Sequence, residues 1–142
     1  YYNDIITYKI VLDGEFDWLQ KVKKHQVSTN DNGPYSSYES FVDNGNLYFI
    51  FNDHVSNYNE SGDFVEGDKL YTASFGKRNN VVVIAEVNME TGELARKTFF
   101  DRSKIQALAV PKLFEVNYET GEMLIYTIYG NKERIGLIRF KE

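Results

Sequence analysis

The side chains of this sequence that could do chemistry are two histidines, a scatter of carboxylates and a set of tyrosines in polar stretches. A metal site needs three or four ligands at spacings the backbone can close. His25 and His54 stand about thirty residues apart, and the nearby oxygen donors Asp31 and Asp53 complete no recognised zinc pattern. Both histidines neighbour polar residues and read as solvated loop side chains. Asn30-Asp31-Asn32-Gly33 places oxygen-bearing side chains ahead of a glycine, as the start of a calcium loop does. Pro34 follows directly, however, and Glu39 is out of register for the closing acidic ligand, so an Asx-type turn is the simpler reading. Asp63, Glu66 and Asp68 read as a solvated acidic loop. No metal is expected.

Hydrolysis of a glycosidic bond needs two carboxyl groups paired in space, which spacing along a chain does not reveal. Asp4, Glu39 and Asp53 are the carboxylates that strand ends could bring together, although with 21 acidic residues some pair can always be named. The sequence holds neither a Gly-x-Ser-x-Gly elbow nor a phosphate loop, and without cysteine it has no thiol nucleophile. We therefore assign no catalytic residue and no cofactor. Tyr35, Tyr38, Tyr58 and Tyr71 lie in or beside loops, where a ring with a polar tip suits contact with proteins or sugars. The binding candidates are Tyr35, Tyr38, Asn52, Asp53, His54 and Tyr58. Trp18 reads as core packing at the outer side of its hairpin.

These residues depend on strands to position them. Tyr38–Asp53, YESFVDNGNLYFIFND, joins two apolar runs through Asn44-Gly45, the strongest short-range hairpin signal a sequence offers. Ile5–Leu12 and Phe16–Val22 flank Asp13-Gly14 in the same way, and Lys23–Tyr35 is a polar connection. Asp53–Asn80 is the longest stretch without strong periodicity, the kind of loop that is usually functional or disordered. Within it Lys69–Phe75 reads as a short edge strand. Val81–Val87, VVVIAEV, is the near-continuous apolar run expected of a central strand buried on both faces. Asn88–Gly92 turns it into Glu93–Phe100. Ile105–Val110 fits either a short strand or a helical turn. Leu113–Tyr129 is a hairpin around Glu119–Glu122, and Ile135–Phe140 is a last strand.

Two kinds of hairpin alternate. Ile5–Lys21 resembles Val82–Lys97, and Ser40–Asp53 resembles Glu115–Asn131, which gives a period of roughly 75 to 80 residues. The expected fold is all-β, built of antiparallel four-stranded repeats, about two blades of a β-propeller. On this reading residues 1–142 form a single repeat unit. Residues 5–22 are the outer hairpin of a preceding blade, 38–100 a full blade with the insertion 53–80, and 113–140 an incomplete last blade. A single curved sheet or an open sandwich is the alternative.

A chain of 142 residues buries about two-thirds of the surface its unfolded form exposes, enough for a domain without disulfides. The 11 Tyr and 10 Phe suit pleated sheet surfaces better than helix seams. Net charge is −5 with both signs interspersed, which argues against a nucleic-acid partner, and no apolar run approaches the ~18 residues of a membrane span. The chain opens at Tyr1 without Met and enters a strand pattern almost at once, which suggests a processed chain or a piece of a longer one.

Asn3-Asp4-Ile5-Ile6, Gly14–Gln26 (GEFDWLQKVKKHQ), Tyr35–Tyr38 with Asn46–Asp53, Glu122–Gly130 and Ile135–Phe140 together resemble the C-terminal part of a group of uncharacterised bacterial cell-envelope proteins with propeller-like repeats. That resemblance implies a cell-envelope or extracellular location and a scaffold role with no assigned activity. The expected function is a non-enzymatic scaffold or protein-interaction module. Its partners would be other protein chains or the rest of its own polypeptide, or further copies of itself if the chain is complete. A carbohydrate-active enzyme or a lectin-like sugar-binding domain is the alternative.

Overall fold

The computed structural model describes residues 1–30, 32–67, 69–75, 79–100 and 108–140, apart from the side chains of Phe100 and Tyr129. Among them the fold is all-β, in sheets that are antiparallel apart from one two-residue parallel pairing, and none closes into a barrel. β1 (Ile5–Ile10) and β2 (Phe16–Val22) form a hairpin. β4 (Glu39–Asp43), β5 (Asn46–His54), β7 (Asn80–Asn88) and β8 (Leu94–Phe100) form a four-stranded sheet in that order. The last sheet contains β9 (Leu108–Ala109), β10 (Glu115–Asn117), β11 (Glu122–Tyr129) and β12 (Lys132–Arg139). β12 pairs along all of β11, so β9 and β10 share the opposite edge of β11. Pro111, which opens a 3-10 turn over Pro111–Leu113, interrupts that edge because it has no N–H for the ladder.

Strict alternation along β5 and β7 determines how the sheets stack. Leu47, Phe49, Phe51, Val81, Val83, Ala85 and Val87 pack on one face with Ile5, Trp18 and Val22 of the hairpin. Tyr48, Ile50, Val82 and Ile84 pack on the other with Ala109, Phe114, Met123 and Ile138. The four-stranded sheet is thus covered on both sides, which is why Val81–Val87 is apolar at every position but Glu86.

The long insertion is structural along much of its length. Gly62 accepts from the Thr98 amide at 2.7 Å and the Phe64 amide donates to the Arg96 carbonyl at 3.3 Å, so this stretch covers the free edge of β8. The edge strand expected over Lys69–Phe75 shrinks to β6 (Ala73–Ser74), which pairs in parallel with β3 (Gln26–Val27), inside the stretch read as a plain connection. Both are too short for periodicity to register. Of the Ile105–Val110 segment, residues 105–107 lie outside the described residues, and Leu108–Ala109 is strand.

Asn44 and Gly45 both adopt positive φ, 44° and 75°, as a two-residue hairpin turn requires. Gly92 adopts φ 74° in the β7–β8 connection and also lies against the Trp18 ring, where an added Cβ would sit 2.7–3.0 Å from ring and Cβ atoms. Trp18 therefore faces inward, with Nε1 donating to the Met89 carbonyl at 3.2 Å, and Gln20 Nε2 donates to the Gly92 carbonyl at 3.0 Å. Gly92→Ala should lower stability in urea unfolding by about 2–4 kcal/mol, the backbone and steric terms adding, and should alter Trp18 fluorescence. Gly45→Ala, with open space around the added methyl, should cost only about 1–2 kcal/mol from φ alone.

Candidate functional site

The densest collection of polar side chains is inside the protein. Asp53 and its neighbour Asn52 end β5 pointing to opposite faces, and both are fully buried. One Asp53 oxygen accepts from the His54 amide at 2.8 Å and Asn57 Nδ2 at 3.0 Å. The other accepts from Tyr58 Oη at 2.8 Å and pairs with the Arg96 guanidinium. Four donors thus occupy the roughly four lone-pair positions of a carboxylate. Arg96 also donates through Nε to Tyr58 Oη at 2.6 Å and through Nη1 to the Lys23 carbonyl, at the end of the first hairpin. Its guanidinium lies among the rings of Phe51, Tyr58 and Phe64, 4.2 Å from the Phe64 centroid. Burial pushes the Asp53 carboxyl above its ordinary value, with Arg96 and the hydrogen bonds pulling the other way. Burial and the adjacent Asp53 charge push the Tyr58 phenol up, so it remains a neutral bridge.

On the opposite face, Asn52 Nδ2 donates to the carbonyls of Ala109 at 2.7 Å and Tyr35 at 3.0 Å, and its Oδ1 accepts from the Ala109 amide at 3.2 Å. Gln26 Nε2 donates to the Asn52 carbonyl at 2.7 Å, while Gln26 Oε1 accepts from the Ser37 amide and from Lys24 Nζ. Lys24 is buried too, and Nζ also donates to the Tyr2 carbonyl at 3.2 Å. Burial is the main cause that pulls the Lys24 ammonium down to about 8; Asp53 and Asp4 oppose it and Arg96 adds to it. Catalysis needs a group that can meet a substrate, whereas Asp53, Asn52 and Arg96 direct their polar atoms at other parts of the chain.

The six binding candidates separate. Asn52, Asp53 and Tyr58 belong to this interior network, the first two fully enclosed and Tyr58 8% exposed. Tyr35 is half-buried against Phe75, and Tyr38 sits edge-on to Phe49 with its other side in solvent. His54 stacks on the exposed Tyr71 and accepts from the Ser56 amide through Nδ1, capping a 3-10 turn over Val55–Asn57. His25 lies 3.1 Å from Thr72 Oγ1.

The carboxylates considered for hydrolysis hold different partners. Asp4 bonds Lys21 Nζ and the Lys24 amide; burial raises its pKa, but these partners more than offset it and hold it low. Burial raises Glu39, which lies in β4 opposite Ile50. Asp63 is tied to Asn59 and Glu66 to Lys23, while Asp31 and Asp68 lie outside the described residues. No cluster of three or more His, Asp or Glu suited to a metal occurs among the described residues.

Sequence reasoning missed Arg96, Lys24 and Gln26. Register carries the signal for Arg96: it shares a parity with Leu94, which faces the first core, so a cation at that position requires a buried anion. Asp53, two residues beyond Phe51, is the matching anomaly on β5.

Comparison with protein-family models, with curated proteins and with solved structures returned no match.

Removing either charge leaves the other buried and unpaired. Asp53→Asn and Arg96→Met should each lose about 3–5 kcal/mol in urea unfolding at neutral pH. Lys24 gives a pH test. Its folded value of about 8 lies below the ordinary 10.5, so between these values the unfolded chain binds more protons and stability rises with pH. Relative to Lys24→Met, the wild-type chain should gain about 1–2 kcal/mol between about pH 7.5 and pH 9.5.

Proposed function

We propose that this chain is a non-enzymatic scaffold module, a stack of β-sheets whose end faces are continued by further protein in a propeller-like array. The carrying observation is the contrast between interior and ends. Inside, the polar groups of Asn52, Asp53 and Arg96 bond to the chain itself. At the ends, the outer faces of the first hairpin and the last sheet carry exposed Ile, Leu, Phe and Tyr. In this reading the sheet of β4, β5, β7 and β8 is one complete blade, β1–β2 the outer half of the one before and the last sheet an incomplete successor. The partners are other protein chains or further parts of the same polypeptide. The sequence resemblance adds an envelope or extracellular setting. No helix among the described residues is long and apolar enough to cross a membrane.

A sugar-binding role has one feature in its favour, an open groove of about 610 Å³ on the last sheet, where Tyr118 stands beside Glu115, Asn117 and Glu119. Cross-linking of the natural polypeptide in its source, followed by mass spectrometry, tests the module reading. Lys21 and Lys132, both exposed and near the two end faces, should link to protein sequence outside their own 142-residue stack. A free chain whose two lysines carry no such links, and which binds oligosaccharide at the Tyr118 groove, would contradict it.

A further inference from the structure

The two end faces differ in shape and belong to one chain. In the hairpin, Ile6, Tyr8 and Ile10 point away from the core, opposite Lys21, Leu19 and Phe16. The five apolar side chains among them are 50–64% exposed. Cross-strand neighbours on one side of the hairpin, they form a continuous apolar face of the kind that marks an interaction site. In the last sheet the outward rows are Leu124 opposite Leu137 and Tyr126 opposite Ile135, with Leu137 and Ile135 55% and 69% exposed. Leu124 and Leu137 also line the groove beside Tyr118.

We propose that the outer face of the β1–β2 hairpin docks on the outer face of the last sheet of a second copy, head to tail. This rests on the module reading above and names the partner. The chain already makes the same kind of joint internally. The inner face of this hairpin, through Ile5, Trp18 and Val22, covers one side of a broader sheet, and the last sheet covers the other. A second copy therefore continues the stack in its existing order, with a two-stranded face laid on a wider sheet. Each copy presents both halves of the joint, so the contact is heterologous, and it propagates to a closed ring or an open chain rather than stopping at a two-fold dimer. Assembly follows mass action, so it grows with concentration.

Light scattering and sedimentation on the purified chain test this. The wild type should exceed the 16.5 kDa monomer mass increasingly with concentration. Tyr8→Glu/Leu19→Glu and Ile135→Glu/Leu137→Glu alter exposed positions, so both should retain the wild-type circular dichroism spectrum and both should be monomers. Mixed together, the two variants should form a one-to-one dimer, because each keeps the half the other lacks. A wild type that stays monomeric at every concentration overturns the inference, and so do variants that assemble as the wild type does. Loss of assembly in the hairpin variant alone also overturns it, since that pattern belongs to a symmetric hairpin-to-hairpin contact. A monomeric purified chain whose natural form still cross-links to other sequence would end this inference while leaving the module reading in place.

Discussion

The structure depends on the placement of two adjacent polar residues at the end of one strand. Asn52 and Asp53 face opposite sides of β5, and each is completely enclosed. Asp53 draws in Arg96 from β8, and through Arg96 the carbonyl at the end of the first hairpin. Asn52 reaches the backbone of β9 in the last sheet. Three sheets are thereby joined through two residues. A buried ion pair adds little net stability over well-packed apolar groups, because desolvation offsets the attraction. What it supplies here is register. A one-residue slip of β5 would exchange the two faces, turning the Asp53 carboxylate toward Ala109 and leaving the Arg96 guanidinium unpaired among aromatic rings.

The same constraint makes the most polar part of the interior a joint between sheets. Four donors of the chain surround Asp53, and the Tyr58 hydroxyl bridges acid and base, accepting from Arg96 while donating to Asp53. The insertion after β5 fits this pattern. Asn57 and Tyr58 close the polar cluster, and the residues after them run along the edge of β8. Its length reflects the work of covering an edge and enclosing two charges. The exposed chemistry lies instead at the ends of the stack, where apolar side chains face away from the core.

Much of the architecture was legible in the sequence because it rests on local rules. Asn44-Gly45 and the Gly92 turn marked connections that the structure contains, and the near-continuous apolar run Val81–Val87 identified the strand covered on both faces. The two-residue pairing of β3 with β6 was not legible, since neither strand is long enough to show a period and their partnership joins segments far apart in the chain. The site was half legible. Asn52, Asp53 and Tyr58 were singled out by residue type, but their loop-like setting suggested exposure. Only the parity of Asp53 with Phe51, and of Arg96 with Leu94, indicates that the charges face inward, and parity becomes informative once strand boundaries are known. The end faces were hidden for a related reason: alternation separates the two sides of a strand without saying which of them has a partner.

Joined through Asn52 and Asp53, the three sheets should behave as one cooperative unit. Native-state hydrogen exchange measures this most directly, because it reports an opening free energy for each strand. The amides of β2, β7 and β11 should open together, with a common free energy and a common dependence on denaturant. Separate opening of the hairpin or the last sheet, while the four-stranded sheet stays protected, would contradict it.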